Sequence, residues 1–307
     1  MKISFSNTVR EEISGTVNDK EKRFACLYGM LLFCRILSRG RISFQSESAV
    51  SAELFGKLFR NVFGIAPECR STERRSGTFM FSYDITDPAL IGEVYSKYRL
   101  SDGQRTIDSG IIATNSLGVF AAGAFLSCGS VNDPEKEYHL EFSVPEQGLA
   151  EELRTLLGDI GVAARTVLRR GQYIVYIKGS EYIEDTLTFI GAQQCTLDLM
   201  NVKIYKDVRN KANRIANCDA ANIDKVVNAA IRQIEDIRLI SRTAGLESLA
   251  PELREVAELR LENTDMSLQE IGESLSEPIS RSGVNHRFQK IAKIAAELRS
   301  GGVSNEK

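Results

Sequence analysis

The sequence predicts an α+β fold, a pseudo-symmetric pair of α/β units followed by an all-α domain, and three observations predict it. Residues 20–98 and 112–190 repeat one order of helical and strand patterns, the signature of an internal duplication. Beyond residue 190 strand alternation stops and only helical spacing remains. The last helical stretches divide their charge: residues 251–278 hold eight acids against Arg254 and Arg260, whereas residues 279–299 hold five bases against Glu297. At 307 residues the chain is long enough for two separate cores.

Each repeated unit opens with an apolar helix bearing Gly-x-x-x-x-Cys, Gly29 to Cys34 in "LYGMLLFC" and Gly123 to Cys128 in "AGAFLSC". Alternating residues then predict a strand, "RISFQS" at 41 and "YHLEFS" at 138. An amphipathic helix follows, "AELFGKLFRNVFGI" and "AEELRTLLGDIGV", with Gly64 and Gly161 at matching ends. Each copy runs on into a hairpin, "ECRSTERRSGTFMFSYDI" and "ARTVLRRGQYIVYIKG", and closes with a helix near 87–97 and 180–191. The order is α-β-α-β-β-α, twice. Gly29, Gly123, Ala121, Ala122 and Ala124 are small enough to let the two opening helices pack closely.

A duplicated α/β unit whose first helices meet through a glycine-containing apolar motif resembles the LAGLIDADG homing endonucleases, whose saddle of strands lies on DNA. The resemblance implies that the penultimate acid of each motif binds the metal for phosphodiester cleavage. Those positions fall on Cys34 and Cys128. Hard Mg²⁺ takes oxygen ligands and a thiol substitutes poorly, so no catalytic residue, metal or cofactor is expected here. The stretch "AAGAFLSCGS" therefore reads as the seam of a fold. The alternative is an endonuclease with displaced ligands, Asp133 and Glu135 in the "VNDPEKE" turn. Six cysteines without a Cys-x-x-Cys pair, and only two histidines, favour reduced, buried thiols over a zinc site. The DNA saddle itself would need outward bases, and Arg41, Arg70, Arg74 and Arg75 in one copy and Arg165, Arg169, Arg170 and Lys178 in the other meet that need, although exposed hairpins are often charged simply to avoid edge pairing.

Residues 191–218 read as a helical connector leading into a helical domain at 219–307. "YKDVRNKANRIANCDAANIDK" is basic and rich in asparagine. Arg209, Lys211, Asn213 and Arg214 are candidates for secondary DNA contacts, beside an equal reading as a solvated helix face. Val226, Val227, Ala230, Ile231, Ile234, Ile237 and Ile240 then recur at helical spacing, with Asn217 or Asp219 as the N-cap.

Three helices follow "GLESLAPEL". The first spans about 252–262, after Pro251. The second, "SLQEIGESL" at 267–275, opens with a Ser267–Glu270 capping box. Pro278 breaks it, and a third starts at Ser280 with Val284, Phe288, Ile291, Ala295 and Leu298 on one stripe. This is helix-turn-helix grammar over about 267–298. The start of the third helix presents Arg281, Ser282, Asn285 and His286 to base edges, where arginine pairs bidentately with guanine and asparagine with adenine. Ser280, Gly283, Arg287, Lys290 and Lys293 suit phosphates.

Taken together, "GAFLSCGSVNDPEKEYHLEF", "KDVRNKANRIANCDAANIDKVVNAAIRQIEDI" and "SLQEIGESLSEPISRSGVNHRFQKI" make the chain similar to the WhiA family of bacterial transcriptional regulators. The resemblance implies a degenerate LAGLIDADG-like domain with a C-terminal helix-turn-helix, and a role in cell division, chromosome segregation or sporulation. Double-stranded DNA is the expected partner, with another transcription regulator or RNA polymerase beside it; the oligomeric state stays open. A net charge of only −2 argues against a chain coated in nucleic acid. The opening "MKISFSNTVREEISG" has no apolar signal core and no stretch spans a bilayer, so the expected place is the cytoplasm, at the nucleoid. The readings left beside a regulator are the endonuclease and an architectural or partner-docking DNA binder.

Overall fold

The computed structural model describes residues 4–74 and 77–301. Its contacts divide the chain into two compact units, residues 1–208 and 209–307, and the division falls within the stretch read as connector.

In the first unit a helix absent from the sequence reading, α1 (Phe5–Thr16), precedes the duplication. The first repeat runs α2 (Lys20–Leu32), β1 (Ile36–Ser38), β2 (Arg41–Ser46), α3 (Ala49–Phe63), β3 (Cys69–Glu73), β4 (Phe79–Ile85) and α4 (Pro88–Lys97). The second runs α5 (Leu117–Cys128), β5 (Gly129–Val131), β6 (His139–Val144), α6 (Gln147–Asp159), β7 (Arg165–Arg169), β8 (Gln172–Lys178) and α7 (Ser180–Phe189). Each repeat holds one strand more than predicted, because β1 and β5 are three residues long and too short for alternation to register.

Both sheets are antiparallel, in the orders β1-β2-β4-β3 and β5-β6-β8-β7. The period of two turns Ile42 and Phe44 of β2, and Leu140, Phe142 and Val144 of β6, into the core. Phe44 stacks on Phe55 of α3 at 4.4 Å, and Phe142 meets Phe125 of α5 edge-on at 6.0 Å. Such aromatic pairs add about 0.5–1.5 kcal/mol each beyond the area they bury.

The opening helices α2 and α5 pack against one another as the small residues predicted. A Cβ added at Gly29 would land on the Phe120 carbonyl oxygen, and one at Gly123 on that of Cys26. Helix α1 is tied to the second repeat. Ser6 Oγ donates to the Val131 carbonyl at 2.7 Å and accepts from its amide at 2.8 Å. The Glu12 carboxylate accepts from the Gln194 and Cys195 amides at 2.6 and 2.9 Å, satisfying donors at the start of the next helix, α8 (Gln193–Thr243).

Helix α8 continues through Asn217 and Asp219, so neither is the N-cap the sequence suggested. In the second unit its last turns pack with α9 (Pro251–Glu262), α10 (Leu268–Glu273) and α11 (Arg281–Gly301) around Val256, Ile271, Val284, Phe288 and Ile291. Ile237 and Ile240 are fully buried there, whereas Val226 and Val227 are 56% and 49% exposed. The apolar spacing of α8 is therefore real, but the core covers only its final part. Cys26, Cys34 and Cys195 are buried as expected; Cys69 and Cys218 are exposed, contrary to that expectation.

Candidate nucleic-acid interface

The helix-turn-helix is built from local rules first. Ser267 Oγ accepts from the Glu270 amide at 3.2 Å, and the Glu270 carboxylate accepts from the Ser267 amide at 2.7 Å, the reciprocal box that starts α10. That backbone hydrogen bond holds the Glu270 carboxyl below its usual range. The turn is closed by the Ile279 amide donating to the Gly272 carbonyl at 3.0 Å, and a Cβ at Gly272 would fall on the Ile279 carbonyl oxygen. The glycine that a tight turn demands thus sits on α10 rather than in "SEPIS". The Ser276 amide donates to Glu255 of α9 at 2.6 Å, and this bond lowers the Glu255 carboxyl.

Beneath the turn lies Arg260, 2% exposed. Its Nη1 donates to the Met266 and Thr264 carbonyls at 2.5 and 3.4 Å, and its guanidinium covers the Phe288 ring at 5.5 Å. Among the described residues it has no carboxylate partner, and burial lowers its pKa. Gly272 was not singled out from sequence, and Arg260 entered there only in the charge count, with Arg254, as one of the two bases of an acidic stretch.

Ser280 caps α11 as read, its Oγ accepting from the Gly283 amide at 3.3 Å. Val284, Phe288, Ile291 and Ala295 are buried, with Leu298 half-buried. Arg281, Ser282, Asn285, His286, Lys290 and Lys293 are exposed on the remaining surface of the helix. Among the described residues, the side chains of Arg281, Asn285, His286, Lys290 and Lys293 have no hydrogen bond or ion pair, and Ser282 touches only the Ser280 hydroxyl, at 2.8 Å. Two of the named positions differ from the rest. Arg287 is half-buried and donates to the Glu252 carbonyl at 3.3 Å, and Gly283 packs against Ile279.

On α8, Arg209, Lys211, Asn213 and Arg214 are exposed and likewise without side-chain partners among the described residues. On the sheets, by contrast, most bases are paired. Arg41 binds Asp84, Arg70 approaches Glu68, Arg74 binds Glu47 and Arg169 binds Glu141. Arg75 lies outside the described residues. Arg165 and Arg170 have no partner among the described residues, and Lys178 lies over the Tyr176 ring.

Cys34 lies two residues beyond α2 and Cys128 ends α5. Burial pushes the Cys34 thiol up to about 11 and the Cys128 thiol up to about 12, so both are protonated at neutral pH. Arg105, almost fully buried, donates to the Leu32 and Cys34 carbonyls at 3.1 and 2.5 Å and pairs with Glu146 at 3.1 Å. At the matching end of α5, Arg10 donates to the Gly129 carbonyl at 2.7 Å. A guanidinium therefore holds the negative end of each opening helix. Asp133 accepts from the Glu135 amide at 3.0 Å within its own turn. No group of His, Cys, Asp and Glu among the described residues is placed to hold a metal ion. The donor set does not fit the metal that the endonuclease resemblance implies.

A pair of α/β repeats joined at their central helices, without metal ligands and followed by a helix-turn-helix, defines a class: LAGLIDADG-like proteins that carry a separate helix-turn-helix domain. Comparison with known proteins narrows it. Residues 117–209 match the family model of the WhiA LAGLIDADG-like domain, and residues 212–295 that of the WhiA C-terminal HTH domain. "Probable cell division protein WhiA" from Thermoanaerobacter sp. (strain X514) is 36% identical over 97% of this chain and 98% of its own length. The protein of the same name from Clostridium perfringens (strain 13 / Type A) is 40% identical over 97% and 99%. The crystal structure of full-length DUF199/WhiA from Thermatoga maritima matches 96% of this chain and 99% of its own, at 25% identity and a TM-score of 0.59. The chain belongs to the WhiA family.

Proposed function

We propose that the chain is a sequence-specific DNA-binding transcriptional regulator with α11 as its reader, acting without cleaving DNA. The observation that carries this reading is the free face of α11, whose long polar side chains have no partner among the described residues. Arg281 and Asn285 are assigned to guanine and adenine edges, Ser282 and His286 to neighbouring base edges. Ser280, Gly283, Arg287, Lys290 and Lys293 follow the phosphates, with Arg209, Lys211, Asn213 and Arg214 as a second set. The pairing of Arg287 with Glu252 makes it the weakest of these.

The name shared by the curated relatives supports a role in cell division, and the family resemblance extends it to chromosome segregation and sporulation. No described helix is long and apolar enough to cross a membrane, and a regulator of this kind works in the cytoplasm, at the nucleoid. The paired bases of the sheets support a scaffold in the first unit, one that docks another regulator or RNA polymerase. The protonated thiols at Cys34 and Cys128, with Arg105 and Arg10 beside them, support the absence of nuclease activity.

The test is a salt-titrated binding assay of the full chain on genomic fragments with Mg²⁺ present. Arg281→Ala is expected to cost about 1–3 kcal/mol on the selected fragment alone, while Lys290→Ala weakens all fragments alike and lowers the salt slope by about 1. Equal affinity for a scrambled target would make the protein an architectural binder. Nicks abolished by EDTA would make it an endonuclease.

A further inference from the structure

The exposed apolar face of α8 is bounded within the second unit. Val226, Val227, Ile231 and Ile234 form one wall of a groove of about 820 Å³, and Met266, just before α10, with Leu268, its first residue, form the other. Residues 225–234 extend about 14 Å along the helix, enough to seat some ten residues of a second helix. Spacings of three and four residues along that wall match the anchor spacing of helix-in-groove recognition. Branched side chains half exposed to water at adjacent positions are an apolar surface without cover.

The charge around the groove selects the occupant. Lys225, Arg260 and Arg281 line it against the single carboxylate of Asp265. None of the three cations has an ion pair among the described residues, and Arg260 is buried with its Nε unbonded. Lys225 and Arg281 are exposed at the rim, where a carboxylate brought in with an apolar segment can pair with them. A second copy of this chain would set the cationic rim against itself. We propose that this groove docks an acidic amphipathic helix of a partner protein. Arg281 and Asn285 lie on its rim, so an occupied groove withholds both from DNA; that consequence rests on the DNA reading above, whereas docking does not.

The test uses the full chain and three labelled helical peptides of one length: leucine–glutamate amphipathic, leucine–lysine amphipathic, and a shuffled leucine–glutamate sequence. Fluorescence anisotropy without DNA is expected to show salt-sensitive binding of the first alone. Val227→Asp and Ile231→Asp, both on the exposed face, are expected to weaken it about tenfold while unfolding temperature is retained. Lys225→Ala and Arg281→Ala are expected to weaken it less. Equal binding of the basic or shuffled peptide, or indifference to Val227→Asp, overturns the proposal. A dimer in solution that Val227→Asp dissociates also overturns it, in favour of a second copy in the groove. With a DNA fragment whose binding needs Arg281, the acidic peptide is expected to displace the DNA. Absence of such a fragment would sink the DNA reading and leave peptide docking standing.

Discussion

Paired arginines of the first unit and the bases on the free face of α11 are in opposite states. Arg41 is bound to Asp84 at 2.6 Å, Arg169 to Glu141 at 2.8 Å, and Arg105 reaches two carbonyls and Glu146, so each has an acid of its own unit as partner. On α11, Arg281, Lys290 and Lys293 face water with no partner among the described residues. The difference teaches that a basic residue is evidence of a phosphate partner only after its neighbours have been counted. Two basic hairpins made the sheets look like a DNA saddle from sequence; four of those bases have an acid beside them, and Arg165, Arg170 and Lys178 have no ion pair among the described residues.

The comparison can be broken most forcefully at its structural base. Gly123→Val is expected to cost about 3–5 kcal/mol, or to prevent the first unit from folding, because the new side chain meets the Cys26 carbonyl; thermal unfolding followed by circular dichroism reads it. Arg105→Met comes next, at roughly 3 kcal/mol in denaturant unfolding, since it strands Glu146 and the carbonyls at the end of α2. Cys34→Asp with Cys128→Asp is expected to lower stability by a similar order and still give no Mg²⁺-dependent nicking of plasmid DNA, because the arginines at both helix ends remain.

A sharper contrast comes from matched alanines. Arg41→Ala is expected to leave DNA affinity within about twofold, where Arg281→Ala loses about tenfold or more in the same titration. The smallest effect is one of pH. Burial raises the Glu141 carboxyl, but hydrogen bonds from His139 and Arg169 outweigh burial and hold it below the usual range. A carboxyl lowered in the folded state adds stability above its unfolded pKa of about 4.3, and that stability is lost as pH falls through the folded value. Glu141→Gln should therefore remove up to about 1 kcal/mol at pH 7 and flatten the acid side of the stability curve.

What sequence made legible was what local chemistry determines. The capping box at Ser267 and the stripe from Val284 to Ala295 each lie within one helix and stand as read, whereas α10 ends at Glu273, five residues before the Pro278 that was read as its break. The duplication was legible because its periods are long; β1 and β5 were not, at three residues each. The remaining surprises are long-range. Arg105 meets residues more than seventy positions away, Arg10 meets Gly129, and no periodicity encodes either. Gly272 is an ordinary helical glycine until Ile279 is folded over it. On α8 the spacing of Val227 and Ile231 was read correctly, but spacing reports that a face is apolar and not whether the same chain covers it.

The tie between α1 and the second repeat bears on the order in which the molecule is made. Ser6 bonds to a residue 125 positions downstream, and Glu12 to amides 182 and 183 positions downstream. On a ribosome adding about 5–20 residues per second, α1 waits on the order of ten seconds or more for those partners. Until then the first repeat lacks the bonds that complete α1, and high sequence separation of this kind slows closure. Helix α1 is in effect the latch of this unit, fastened only after both repeats that follow it have been made.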